Sequence, residues 1–189
     1  MSVQLRRWSR QEYGRMIDAG VLTPEDRVEL IDGEIVNVAP QNSRHATATR
    51  LTDIALRHAF AEHVDVRTQL PLALDPASEP QPDVAVVAGS PRDYRDAHPS
   101  TALLIVEVAD ASPLFDGSTK ASLYARAGIA DYWLLNLVDE VVEVYRNPQR
   151  STGAPPGWRY AAVERYGPQD RVAPLARPDG FVAVKGLLP

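Results

Sequence analysis

Two periods of apolar and polar positions alternate along the chain, and the switches between them mark its elements. Tyr13, Met16 and Ile17 recur at helical spacing behind Ser9 and Glu12, the residue types of a capping box, with Trp8 placed to staple onto Tyr13. This predicts a short helix ended by Gly20. After the Thr23-Pro24 turn, RVELIDGEIVNV sets Asp32-Gly33 between two β-type runs, which predicts a two-residue hairpin with Leu30 facing Ile35 and Ile31 facing Glu34. That register puts Glu29 and Glu34 on one face of the ribbon, within a diagonal neighbour's reach. Ser43 is expected to cap a longer helix over about residues 44–62. Leu51, Ile54, Ala55 and His58 would form its apolar side and Arg50, Asp53 and Arg57 its polar one.

Strand periods follow. Val64, Val66, Leu70, Leu72 and Leu74 alternate with Asp65, Arg67, Gln69 and Ala73, the pattern of a half-buried strand, and QPDVAVV is a short run entered through Pro82. Residues 88–100 read as a polar loop. ALLIVEV, about residues 102–108, is apolar almost throughout, as in a central strand covered on both faces. ADASPLFDG leads into a helix over about residues 118–127 closed by Gly128, and DYWLLNLVDEVVEVYRN reads as two strands joined at Val138-Asp139. A turn-rich loop (147–157), the alternating strand WRYAAVERY and a Pro-punctuated tail with a short edge element around Phe181 to Val184 complete the chain. The sum is a single mixed α/β domain over 1–189. Its core, about residues 44–137, runs helix, three strands, helix, strand; a helix and hairpin (9–38) precede it and a β extension (138–189) follows.

Composition narrows the function. At 44% hydrophobic and 24% charged residues the chain has ordinary globular usage, and the absence of cysteine excludes a disulfide framework, a thiolate zinc site and a Cys nucleophile. The start MSVQLRRWSRQEY has no apolar core of a signal peptide, and no apolar run approaches the ~18 residues of a membrane span. A cytoplasmic location with no membrane partner is expected. The net charge of −5 argues against a nucleic-acid partner, whose phosphates call for Lys and Arg. The average hides a pattern, however: residues 1–60 hold 8 basic and 8 acidic side chains, residues 61–140 hold 5 and 13, and residues 141–189 hold 7 and 4. The acidity is concentrated in the middle of the chain. Of the 20 cations, 18 are arginines; the two lysines are Lys120 and Lys185.

Glu107 is the most informative position, because a carboxylate inside ALLIVEV is costly to bury unless it is neutralised, paired or bound to a metal. Asp83 opens the short strand VAVV. Two adjacent strands presenting these carboxylates at neighbouring ends would form a hard-oxygen site suited to Mg2+ or Mn2+, able to activate water and stabilise charge on a phosphodiester. A turn-capping Asp after proline and a strand-end Glu paired with arginine account for the same residues without chemistry. Lys120, a rare lysine on the helix after the Glu107 strand, adds a compact charge useful against a phosphate or a nucleophilic water. A solvated helix lysine is the plain alternative.

QPDVAVV, then LLIVEVADAS, then D-x3-K-x3-Y at Asp116, Lys120 and Tyr124, then AGIADYWLLNL, together resemble the "putative restriction endonuclease" family of the PD-(D/E)XK nuclease superfamily. ELIDGEIV, His45 at the start of the long helix and the Gln69 strand also resemble it, so the likeness covers about residues 10–147. The resemblance implies a restriction-endonuclease-like fold and divalent-metal-dependent hydrolysis of DNA phosphodiesters. It makes Asp83 and Glu107 catalytic metal ligands and Lys120 the lysine that orients the attacking water. In the commoner pattern that lysine lies two residues after the glutamate, where this chain has Ala109, so the assignment requires Lys120 to point back at the strand ends. Glu34 is the candidate third acid, with Glu29 behind it; hairpin residues facing solvent or pairing with Arg50 are the alternative. His45 is a candidate phosphate contact or base, and Tyr124 a candidate support for the lysine. A structural histidine and a core aromatic would need no such role, and His58 reads as structural. Arg44, Arg50 and Arg57, the loop pair Arg92 and Arg95, and the basic last third are available to DNA, with modest, salt-sensitive, metal-dependent binding expected. A homodimer is expected from the two-fold symmetry of duplex cleavage. The competing readings are an inactive nuclease-fold module for nucleic-acid or protein interaction, and a hydrolase of small phosphate esters.

Overall fold

The computed structural model describes residues 4–60, 63–110, 119–151 and 157–189. Asp116, the first residue of the D-x3-K-x3-Y motif, and most of the loop before Lys120 lie outside them. Helix α1 (Arg10–Asp18) carries the full capping box at Ser9 and Glu12, and Tyr13 is its buried residue. Strands β1 (Val28–Ile31) and β2 (Glu34–Asn37) pair antiparallel with Leu30 opposite Ile35 and Ile31 opposite Glu34. Both turn residues, Asp32 and Gly33, have positive φ (51° and 76°), the requirement of a type I′ turn. Gly33 is further constrained by close approach: a Cβ there would stand 2.8 Å from the Arg7 Cβ.

Helix α2 (Ser43–Phe60) and strands β3 (Val64–Thr68), β4 (Val84–Ala88) and β5 (Leu104–Ala109) are followed by helix α3 (Ala121–Arg126) and strand β6 (Asp131–Asn136). This is the expected core order. β7 (Val141–Arg150), β8 (Trp158–Tyr166), β9 (Arg171–Val172) and β10 (Val182–Ala183) complete the elements, the last two pairing with each other. The main sheet runs β3-β4-β5-β6-β7-β8 and is mixed. Only β5 and β6 are parallel, because the segment carrying α3 returns the chain to the same end of the sheet; the remaining neighbours are antiparallel.

The sheet buries both faces, which is why β5 and β6 read as continuous apolar runs. One face packs Val84, Val86, Leu104, Val106, Val108, Trp133 and Leu135 with α2 and the C-terminal tail. The opposite face packs Ala85, Val87, Ile105, Tyr132 and Leu134 with α3, the hairpin and Tyr160. Strand alternation sends Asp83 and Glu107 to this second face, the one α3 covers.

Several expectations are corrected. Ser43 is the first helical residue of α2, and the cap is Asn42, whose Oδ1 accepts the His45 amide at 2.9 Å. The buried side of α2 is Ala48, Thr49, Thr52, Asp53, Leu56 and Phe60, whereas Ile54 is 51% exposed and His58 faces solvent. Small side chains let the helix approach the sheet, and Asp53 is buried with partners, accepting from Arg50, Arg57 and Thr68. β3 stops at Thr68: Gln69 has a left-handed backbone (φ 53°), which breaks the strand before Leu70. Its polar face is buried too, with Asp65 paired to Arg67 and the Arg67 guanidinium 5.5 Å from the Tyr94 ring. Residues 147–150, expected in a loop, extend β7, with Pro148 opposite Tyr160. The helix expected over 118–127 is formed as α3 over Ala121–Arg126.

Candidate active site

β4 and β5 are antiparallel with Val84 opposite Val106, so the start of β4 lies beside the end of β5 and Asp83 falls opposite Glu107. Two backbone bonds lock the acids to each other's strand. The Asp83 amide donates to Glu107 Oε2 at 3.3 Å, and the Val108 amide donates to Asp83 Oδ2 at 2.9 Å. Both side chains are nearly buried, which only dense hydrogen bonding permits.

α3 supplies the partners of Glu107. Lys120, immediately before its first turn, donates from Nζ to Glu107 Oε1 at 3.0 Å, and Tyr124, one turn later, donates its hydroxyl to the same oxygen at 2.5 Å. Lys120 thus does point back at the strand ends, because helical spacing places positions four apart on one side. Burial, together with the neighbouring Glu107 and Glu29 charges, pushes the Tyr124 phenol well above its ordinary pKa, so it remains a proton donor throughout the neutral range.

The hairpin contributes a third acid. Glu29 on β1 is buried, and its Oε2 lies 3.5 Å from Lys120 Nζ, so one ammonium is shared by two carboxylates. Desolvation raises the Glu29 pKa, opposed by the attraction of Lys120 and a hydrogen bond from the Gln81 backbone. Glu34, although of the same ribbon parity, sits at the exposed tip and pairs with Arg7 at 2.7 Å. It stands outside the cluster.

Asp83 is held on its other side by three side chains. Gln41 and Gln69 each donate from Nε2 to Oδ1 at 3.3 Å, and His45 Nε2 lies 3.2 Å from Oδ2. Burial alone would lower the His45 pKa, but the Asp83 carboxylate, with the Val108 backbone and Asp110, reverses this and raises it. Sequence reasoning had assigned no role to Gln41 or to the Gln69 side chain. The left-handed backbone of Gln69 could not be read from a strand-like pattern, yet it is what lets a residue beyond β3 reach Asp83.

The arginines divide. Arg44 lies beside the site, bonded to Asp110 and to the Leu137 carbonyl. Arg50 is tied to Asp53, and Arg92 and Arg95 follow the far end of β4, away from Asp83. The cluster opens into a cleft of about 760 Å3 whose other wall is built by α1, the turn after it and the hairpin.

Among the described residues, no group of three or more His, Cys, Asp or Glu is arranged to hold a metal. The fit therefore rests on the acid pair. Two carboxylates from adjacent strands, bordering a cleft that leaves room for water, are a donor set suited to Mg2+, which retains several waters when bound.

The mixed six-stranded sheet flanked by α2 and α3 is a restriction-endonuclease-like fold. It is similar to the solved structure of a putative nuclease belonging to DUF820 from Anabaena variabilis ATCC 29413, with a TM-score of 0.69 and 16% identity over 90% of this chain and 94% of that one. The model of the Uma2 family, described as "Putative restriction endonuclease", matches residues 10–182, and the chain belongs to that family. No curated protein matches it.

Proposed function

We propose that the chain is a divalent-metal-dependent endonuclease that hydrolyses DNA phosphodiester bonds. The observation that carries this reading is the convergence of Asp83, Glu107 and Lys120 at one edge of a cleft, with Tyr124 and Glu29 holding the lysine–glutamate pair. Asp83 and Glu107 would hold Mg2+ or Mn2+, and the ion would lower the pKa of water and offset charge on the phosphodiester. The remaining work belongs to the chain's own groups. The Lys120 ammonium sets a positive donor beside Glu107, where it orients the attacking water and favours its loss of a proton. Tyr124 fixes the Glu107 carboxylate against rotation, while Gln41, Gln69 and His45 do the same for Asp83.

The acidity of the site sets the expected partner behaviour: DNA binding is modest, sensitive to salt and dependent on the metal. Two copies acting together in the cytoplasm would each cut one strand of a duplex that is opened at the site. Plasmid nicking in Mg2+ or Mn2+ tests the assignment with wild type, Asp83→Ala, Glu107→Ala and Lys120→Ala. Each substitution is expected to lower the rate at least ~100-fold. Equal nicking by all four proteins would instead leave the inactive-module reading.

A further inference from the structure

We infer that the cleft receives an unstacked nucleobase, which makes single strands and splayed ends the preferred substrates over closed duplex. This rests on the nuclease reading above and adds the substrate class. The cleft has two unlike walls. One is the polar edge already described; the other is apolar, formed by Ile17 of α1, Leu22 and Pro24 of the following turn, and Val28, Val36 and Val38 of the hairpin region. Ile17 is 46% exposed, and Leu22, Val28, Val36 and Val38 are half-buried, so this wall has surface left to cover. An apolar surface rimmed by polar groups marks a ligand groove, and about 760 Å3 lies within the range of pockets that enclose small planar ligands.

The polar edge sets Glu29, Asp83, Glu107 and Asp110 against Arg27 and Lys120, with His45 beside Asp83, so a divalent cation held by Asp83 and Glu107 would offset the acidic excess and admit one phosphodiester. Base stacking decides against closed duplex, which keeps its bases paired and stacked and offers the apolar wall nothing to bury. A single-stranded or flipped nucleotide offers both required parts: a phosphodiester for the acid and lysine edge, and an apolar ring face for the opposite wall. Because every base has such a face, the contact is tolerant of sequence.

The test uses the full chain and one sequence in three forms: a single strand, a duplex with splayed ends and a closed hairpin duplex, each with Mn2+. The first two are expected to be cut at least about tenfold faster than the third. Ile17→Asp and, as a second surface substitution, Val38→Asn are expected to remove that preference. Equal rates on all three forms overturn the inference while leaving the nuclease reading intact. If no form is cut, the nuclease reading fails, and a 2-aminopurine-labelled single strand still decides this one. A change in its emission on binding that Ile17→Asp abolishes supports base capture; no change, or the same change with Ile17→Asp, overturns it.

Discussion

Tyr124→Phe isolates one hydrogen bond at the centre of the cluster. The Tyr124 hydroxyl is fully buried and donates to Glu107 Oε1 at 2.5 Å, while its ring packs 5.2 Å from Tyr132. Phenylalanine keeps the ring and removes the donor. A hydrogen bond to a charged group contributes about 1.5–3 kcal/mol, and Glu107 retains Lys120 and the Asp83 amide as partners, so the lower half of that range applies. For a chain of this size each kcal/mol shifts Tm by roughly 2–4 °C, which gives a loss of about 5 °C. Because burial and Glu107 hold the phenol protonated, the loss should be the same from pH 6 to pH 9. Thermal unfolding followed by circular dichroism at several pH values is the assay. The same variant should lower metal-dependent nicking about 10–100-fold, as removal of a group orienting a ligand does. An unchanged Tm together with unchanged nicking would refute the claim that this bond holds Glu107.

Two further substitutions separate the energetics of the site from those of the scaffold. Glu29→Gln removes a carboxylate whose pKa burial raises, against the pull of Lys120. A raised acid contributes stability below its unfolded pKa and loses it as pH rises through the folded one. The variant should therefore match or exceed wild type by about 1 kcal/mol in urea at pH 7.5, with the gap closing toward pH 4; a deficit that grows with pH contradicts this. Asp131→Ala removes a fully buried acid that accepts from Trp133 Nε1, Arg146 Nε and the Leu175 amide. It removes the charge partner of Arg146, which keeps its bond to the Ala173 carbonyl, and frees the Leu175 amide from β6, so a loss of about 3–5 kcal/mol is expected by urea denaturation, and a loss under 1 kcal/mol would show the network to be dispensable.

Much of the architecture was legible because its signals are local. The Ser9–Glu12 box, the Asp32-Gly33 turn and its register, the two-sided burial of β5 and the order of the core all depend on residues close together in the chain. Asp83 and Glu107 stood out for the same reason, since each is a polar residue at the end of an apolar run. What failed was orientation. The pattern of α2 points Asp53 to solvent, whereas Arg50, Arg57 and Thr68 surround it in the fold and permit its burial. The alternation to Leu74 predicts a longer β3 than forms, since nothing in it reveals the positive φ at Gln69.

The third acid shows the division most clearly. The ribbon's parity made Glu29 and Glu34 equivalent, since both project from one face. Docking of the hairpin against α3 distinguishes them: Arg126 ties Asp32 and Asp75 together, Glu29 is carried to Lys120, and Glu34 is left at the rim with Arg7. Gln41 and Gln69 join Asp83 from segments 28 residues apart by the same kind of long-range packing. Local patterns specify which residues an element exposes on each side. Which of those sides meet across the cleft depends on contacts between distant segments, and these exist only once the sheet has assembled.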